Sequence, residues 1–155
     1  MRRQDATLQA MEDLLIEAWE LLMRSPDRER GWLKGGNAWP DIVREWWEYF
    51  DVDDVPRLQL NRREVTLRDR VFIDPDCLTT AIAPIKRPLV AVVLAMKARP
   101  GPGGFRWERV WEAMGGRESG MTSDGLRARY DSVLRQLSVI EAARAAAAGA
   151  ALSGF

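Results

Sequence analysis

The chain has 155 residues, 46% of them hydrophobic and 30% charged, with 23 basic side chains against 23 acidic ones. That length suits one domain with a buried core, or a small domain carrying a helical extension. There is no His and a single Cys, which removes the commonest general base, the commonest transition-metal ligand, any internal disulfide and any thiolate zinc cluster.

The single Cys77 reads as a small buried hydrophobe rather than a nucleophile. With no convincing carboxylate pair either, the expectation is a non-enzymatic protein with no metal and no cofactor. Residues 1–20 mix charged and apolar side chains and do not form a signal peptide. The longest apolar run, 89–96, is far short of the roughly 20 residues a membrane helix needs. The reading is a cytoplasmic protein with no membrane partner.

The zero net charge hides a segregation. Residues 1–83 carry 12 Lys and Arg against 17 Asp and Glu, a net of −5; residues 84–155 carry 11 against 6, a net of +5. A basic half beside an acidic half points to a polyanionic partner for the former, although chance gives such an asymmetry as well.

In chain order, Leu8, Met11, Leu15, Trp19 and Leu22 recur at helical spacing, predicting an amphipathic helix over 5–24 with Asp5 as its cap. Pro26 ends it. A loop over 25–38 follows, then a second helix from Trp39 and Pro40 to Phe50, with Ile42, Trp46 and Tyr49 on one line. Trp39, Trp46 and Trp47 read as core rather than as a base-stacking platform. Asp51, Asp53 and Asp54 lack the further oxygen ligands of a calcium loop and read as a solvated break. Residues 57–73 alternate, with Leu58, Leu60, Val65 and Leu67 between polar residues. That allows a hairpin or an irregular loop, and the loop is favoured. Val71, Phe72 and Ile73 are anchored in the core. Asp74 and Pro75 predict a helix to about Ala83, interrupted at Pro84, with another from Arg87 to Ala98.

Residues 99–104 are a Pro/Gly break. A helix over 105–114, a Gly-rich turn over 115–121 and a long helix from 122 to about 147 complete the chain. The Ala-rich end has high helix propensity and little to pack, so it frays or pairs with a partner. The fold class is all-α: an acidic helical module over 1–83 for interaction or oligomerisation, a three-helix helix-turn-helix unit over 84–140, and an Ala-rich tail over 141–155.

The unit over 87–137 carries the functional expectation. Phe105, Trp107, Val110, Trp111 and Met114 give the middle helix a broad apolar face, and Gly115 and Gly116 end it. Thr122 caps the next helix, whose Leu126, Tyr130, Val133 and Leu137 face inward. Ser123, Asp124, Arg127, Asp131 and Arg135 face outward, with Arg129 to one side. Arg127 is the base-reading candidate, because a guanidinium bonds guanine bidentately. Gly125 lets the backbone approach the groove, and Thr122 and Ser123 meet a phosphate at the helix N-terminus. Lys97, Arg99 and Arg106 flank the unit as phosphate grips. A plain salt-bridged surface helix would show the same Asp124, Arg127 and Asp131 spacing. The turn over 115–121 is also longer than the three to four residues usual in this motif.

Arg87-Pro88-Leu89-Val90, Trp107-Glu108-Arg109-Val110, Met114-Gly115-Gly116, the run from Thr122 to Tyr130 and that from Leu134 to Leu137 resemble the sigma-factor region-four-like helix-turn-helix of small phage and prophage proteins. Upstream, Gly31-Trp32 and Trp39-Pro40-Asp41-Ile42-Val43-Arg44 resemble the N-terminal signature of a family of such proteins. The resemblance implies an all-helical fold and a DNA transaction linked to a phage or to gene transfer. It implies no particular biochemical activity.

The leading expectation is therefore a transcription regulator that binds double-stranded DNA. Its N-terminal part dimerises or touches RNA polymerase, with Trp32 as the interface anchor. The alternatives are a DNA-packaging adaptor like a small terminase subunit, and a protein-only adaptor or inhibitor that does not bind DNA.

Overall fold

The structure, a computed structural model, describes residues 3–24 and 59–153. The expected loop over 25–38, the helix from Trp39 to Phe50, the acidic break after it and the anchor Trp32 lie outside the described residues. Among the described residues every regular element is helical and no strand occurs, so the fold is all-α.

Helix α1 spans Arg3–Arg24. Its predicted stripe is the buried one: Met11, Leu15, Trp19 and Leu22 are all in the core, and Leu8 is half-buried against it. Complete burial of a side chain such as Leu15 contributes about 1.5–3 kcal/mol. Asp5 is not the cap, because the helix begins two residues earlier. It sits in the first turn, where its charge still meets the positive end of the helix dipole.

Residues 59–73, the described part of the stretch expected as a loop or hairpin over 57–73, differ from that expectation. Arg62–Arg68 form helix α2, opened by a reciprocal cap: the Asn61 side chain accepts from the Glu64 N–H at 2.9 Å, and the Glu64 carboxylate accepts from the Asn61 N–H at 3.0 Å. This pairing satisfies two amides that have no partner inside the helix, and it outweighs four alternating apolar residues. The helix widens into a π turn over Asp69–Ile73. The wider turn brings Val71 and Phe72, consecutive in sequence, both to complete burial, as the apolar run predicted. Phe72 meets Trp19 edge-on, with ring centroids 6.1 Å apart.

No α-helix starts at Asp74. Asp74 accepts the Cys77 N–H through its backbone carbonyl at 2.9 Å, closing a turn. Two short 3₁₀ segments follow, Leu78–Ala81 and Pro84–Lys86. Pro84 explains the interruption: it holds Ala83 extended, at ψ 135°, because the helical conformation would clash with the proline ring. Cys77 is buried, with its sulfur 3.6 Å from the Thr79 hydroxyl, which itself donates to the Val71 carbonyl at 2.6 Å.

Helix α3, Arg87–Ala98, has the predicted bounds, and Leu89, Val90, Ala91, Val92, Val93, Leu94 and Ala95 are buried without a break. A helix apolar on all sides belongs at a core centre. Helix α4 (Trp107–Ala113) and the long α5 (Ser123–Ser153) pack against it and against each other, and α1 lies against both α3 and α5. Trp19 and Phe72 therefore share one cluster with Val93, Val110 and Leu137, and the core runs continuously across the 83/84 boundary. Helix α5 continues past the expected end to Ser153, and from residue 142 to 151 its side chains are exposed.

Candidate nucleic-acid interface

The connection between α4 and α5 is a built structure. Gly115, Gly116 and Gly120 adopt positive φ of 111°, 57° and 71°, a region that side chains with a Cβ avoid. Between them lies a 3₁₀ turn, Gly116–Ser119. The Ser119 hydroxyl donates to the Gly116 carbonyl at 2.6 Å and accepts from the Met121 N–H at 3.2 Å. The Trp111 indole N–H donates to the Met121 carbonyl at 2.6 Å. Three side-chain bonds thus hold a connection longer than the usual turn of a helix-turn-helix motif.

Thr122 caps α5: its hydroxyl accepts the Gly125 N–H at 3.0 Å. Gly125 has a local reason beside its expected role at a groove, because a Cβ there would stand 3.1 Å from that hydroxyl. The inward stripe of Leu126, Tyr130, Val133 and Leu137 is buried as predicted, joined by Leu134. Trp107 meets the Tyr130 ring edge-on at 5.7 Å and Phe105 at 5.3 Å, fixing α4 against α5.

Outside this packing, Thr122, Asp124, Arg127, Arg129 and Arg135 are exposed and Ser123 is half-buried. Arg129 places a guanidinium nitrogen 3.6 Å from the Met121 sulfur. Arg127 borders a polar cavity of about 250 Å³ between α1 and α5, whose walls include Asp5, Glu12, Lys97, Tyr130 and Asp131. The acidic helix thus lies alongside the arginine that was expected to read bases.

Lys97 is not the flanking surface cation that was expected. Its ammonium donates to both Glu12 carboxylate oxygens, at 2.9 and 2.8 Å. The same nitrogen stands over the Phe105 ring at 4.7 Å and the Tyr130 ring at 5.7 Å. This charge is neutralised inside the fold. The Tyr130 hydroxyl is buried near Glu12 and has no hydrogen-bond partner among the described residues. Burial, and then the charges of Glu12 and Asp131, push its ionisation well above the ordinary tyrosine range.

Arg99 and Arg106 are exposed, and a third arginine that sequence reasoning passed over joins them. Arg109 lines the same cavity, of about 210 Å³, together with Met96 and Phe105. Spacing gave no signal for it: Arg106 stands in extended backbone ahead of α4, while Arg109 lies inside the helix.

The described residues define an all-helical protein in which a capped helix start and two arginine groups face outward. No family model matches the chain, and no curated protein or solved structure matches it. Among the described residues no single helix is long and apolar enough to cross a membrane.

Proposed function

We propose that the chain is a non-catalytic, sequence-specific regulator that binds double-stranded DNA through α4, the glycine turn and α5, in a phage or gene-transfer setting. The observation that carries this reading is the start of α5. Its buried stripe and its three-bond turn hold it rigidly, while Arg127, Arg129 and Asp124 remain exposed at the end that meets base edges in helix-turn-helix proteins. Arg127 reads a guanine; Arg99 and Arg106 hold phosphates. Helix α1 turns Asp5, Asp13 and Glu17 outward, an acidic face for RNA polymerase or a second copy.

One observation favours a second reading, a protein adaptor. Arg127 stands among Asp5, Glu12 and Asp131 at one cavity, and such a mixed-charge rim suits a protein surface better than a polyanion.

Fluorescence anisotropy against a pool of duplexes, followed by selection of the bound sequences, tests the choice. DNA binding requires a selected site and a steep loss of affinity with salt. Arg127→Ala should weaken that site by about 1–3 kcal/mol and relax one base position. If low salt gives no duplex binding at all, the adaptor reading replaces it.

A further inference from the structure

The loop between α3 and α4 holds a second arginine group, and its surroundings suit one chemical class of ligand. We infer that Arg99, Arg106 and Arg109, over an apolar floor of Met96 and Phe105, form a pocket for a phosphate ester. The inference rests on the DNA reading for its natural source, a backbone phosphate. The pocket chemistry would take the same group from a free nucleotide.

Two glycines set the position of the guanidinium groups. A Cβ on Gly101 would stand 2.7 Å from an Arg109 guanidinium nitrogen, and one on Gly103 would stand 3.0 Å from an Arg106 guanidinium nitrogen. Both arginines therefore lie close against bare backbone. Arg109 is held there by donating to the Pro102 carbonyl at 3.1 Å. A guanidinium has five N–H donors, so most of those on Arg109 stay available. Among the described residues no acidic side chain forms an ion pair with Arg99, Arg106 or Arg109. Their three positive charges line one cavity, and an anion bound among them lowers their mutual repulsion.

Size and charge narrow the ligand. The cavity, about 210 Å³, lies below the roughly 300 Å³ at which sites for drug-sized molecules begin. It accommodates a phosphate with part of a sugar. A single carboxylate is satisfied by one bidentate arginine, whereas a phosphate offers oxygens to several. Met96 and Phe105 give the sugar or base edge an apolar surface to rest on, which a bare inorganic ion would not use.

The test uses the full chain and isothermal titration with two probes, adenosine monophosphate and a 20-base-pair duplex. The variants are Arg99→Gln, Arg109→Gln and Gly101→Ala; the last keeps every charge and displaces only the Arg109 guanidinium. Thermal melts confirm that each variant folds. Arg109→Gln should weaken binding about tenfold, as expected for losing a charge-assisted hydrogen bond. It should also lower the salt slope of duplex binding by about one, and Gly101→Ala should follow in the same direction. Loss towards both probes supports the pocket; loss towards the duplex alone shows plain backbone contacts and overturns it. Nucleotide binding that depends on Arg109, in a chain that ignores duplex, keeps the pocket and sinks the DNA reading. Unchanged affinity in Arg99→Gln and Arg109→Gln, wild-type protein that binds neither probe, or tighter capture of a Glu-rich peptide than of either phosphate overturns the inference.

Discussion

Glu12 is only 7% exposed, and its carboxylate is tolerable there because Lys97 covers both oxygens. Removing the lysine alone would leave a largely buried carboxylate without the ammonium that covers it. Buried pairs lose about 3–5 kcal/mol on such a cut; with the Lys97 side chain still 23% exposed, Lys97→Ala should lose about 2–3 kcal/mol in chemical denaturation. The double variant Glu12→Gln with Lys97→Met should recover most of that loss. If the double variant is no better than the single, the pair is not what holds this corner. The hydroxyl of Tyr130, orphaned beside Glu12, makes a separate prediction. In the folded chain it stays protonated above its ordinary value of 10.0, while the unfolded chain releases that proton. The unfolded state then binds fewer protons, so stability is full below pH 10 and falls as pH rises beyond it. Tyr130→Phe should flatten that alkaline limb and leave stability at neutral pH unchanged or slightly higher, measured by denaturant midpoints across pH.

The start of α5 depends on a few local bonds. Thr122→Ala removes the acceptor for the Gly125 amide and should cost about 1 kcal/mol. It should raise amide exchange in the first turn of α5 more than in α3. Equal exchange in the two helices would mean that the cap does not hold this end. Helix α2 teaches a related lesson. Its capping pair, Asn61 with Glu64, is written in the chain at the correct three-residue spacing, yet the alternation of Leu58, Leu60, Val65 and Leu67 suggested a loop or hairpin. Alternation over so few residues weakly specifies a strand, because a strand also needs a neighbour to pair with. A reciprocal cap needs nothing outside its own turn. The helix expected from Asp74 failed for the opposite reason. A capping residue and a proline start were present, but the backbone closes a turn from Asp74 to Cys77 and leaves helical geometry at Cys77, at ψ 155°, while Pro84 holds Ala83 extended.

Across the whole molecule, α3 joins the two halves. Its seven consecutive buried residues touch α1 on one side and α4 and α5 on others. Leu94, fully buried, should lose about 2–5 kcal/mol on Leu94→Ala. Tryptophan fluorescence and far-ultraviolet circular dichroism should lose signal in one shared transition, because α1, α3 and α5 share a core. Two separated transitions would show that residues 1–83 and 84–140 unfold independently. Ion pairs likewise bridge those halves. Lys97 crosses over to Glu12, and Arg70 of the acidic half pairs with Glu141 of α5. Arg144 reaches back to the Asp76 carbonyl at 2.7 Å. Lys97 takes one positive charge out of the basic half and Glu141 one negative charge, so the two pairs join the halves and leave the basic surplus for any polyanion unchanged.

Periodicity alone determined α1 and the buried stripe of α5, since each side chain faces its neighbours three or four residues away whatever lies beyond, and proline and glycine breaks bounded α3. The glycine turn and the Thr122 cap were equally readable, because backbone conformation and the nearest amides govern them. Only the tertiary structure decided which cations face solvent. Lys97 looks like any surface lysine until Glu12, 85 residues earlier, is brought beside it. Arg109 looks like part of a helix until the Pro/Gly loop folds back over it. A charge is neutralised or left free by whatever lies within a few ångströms, and in these two cases chain folding, not sequence spacing, supplies that neighbour.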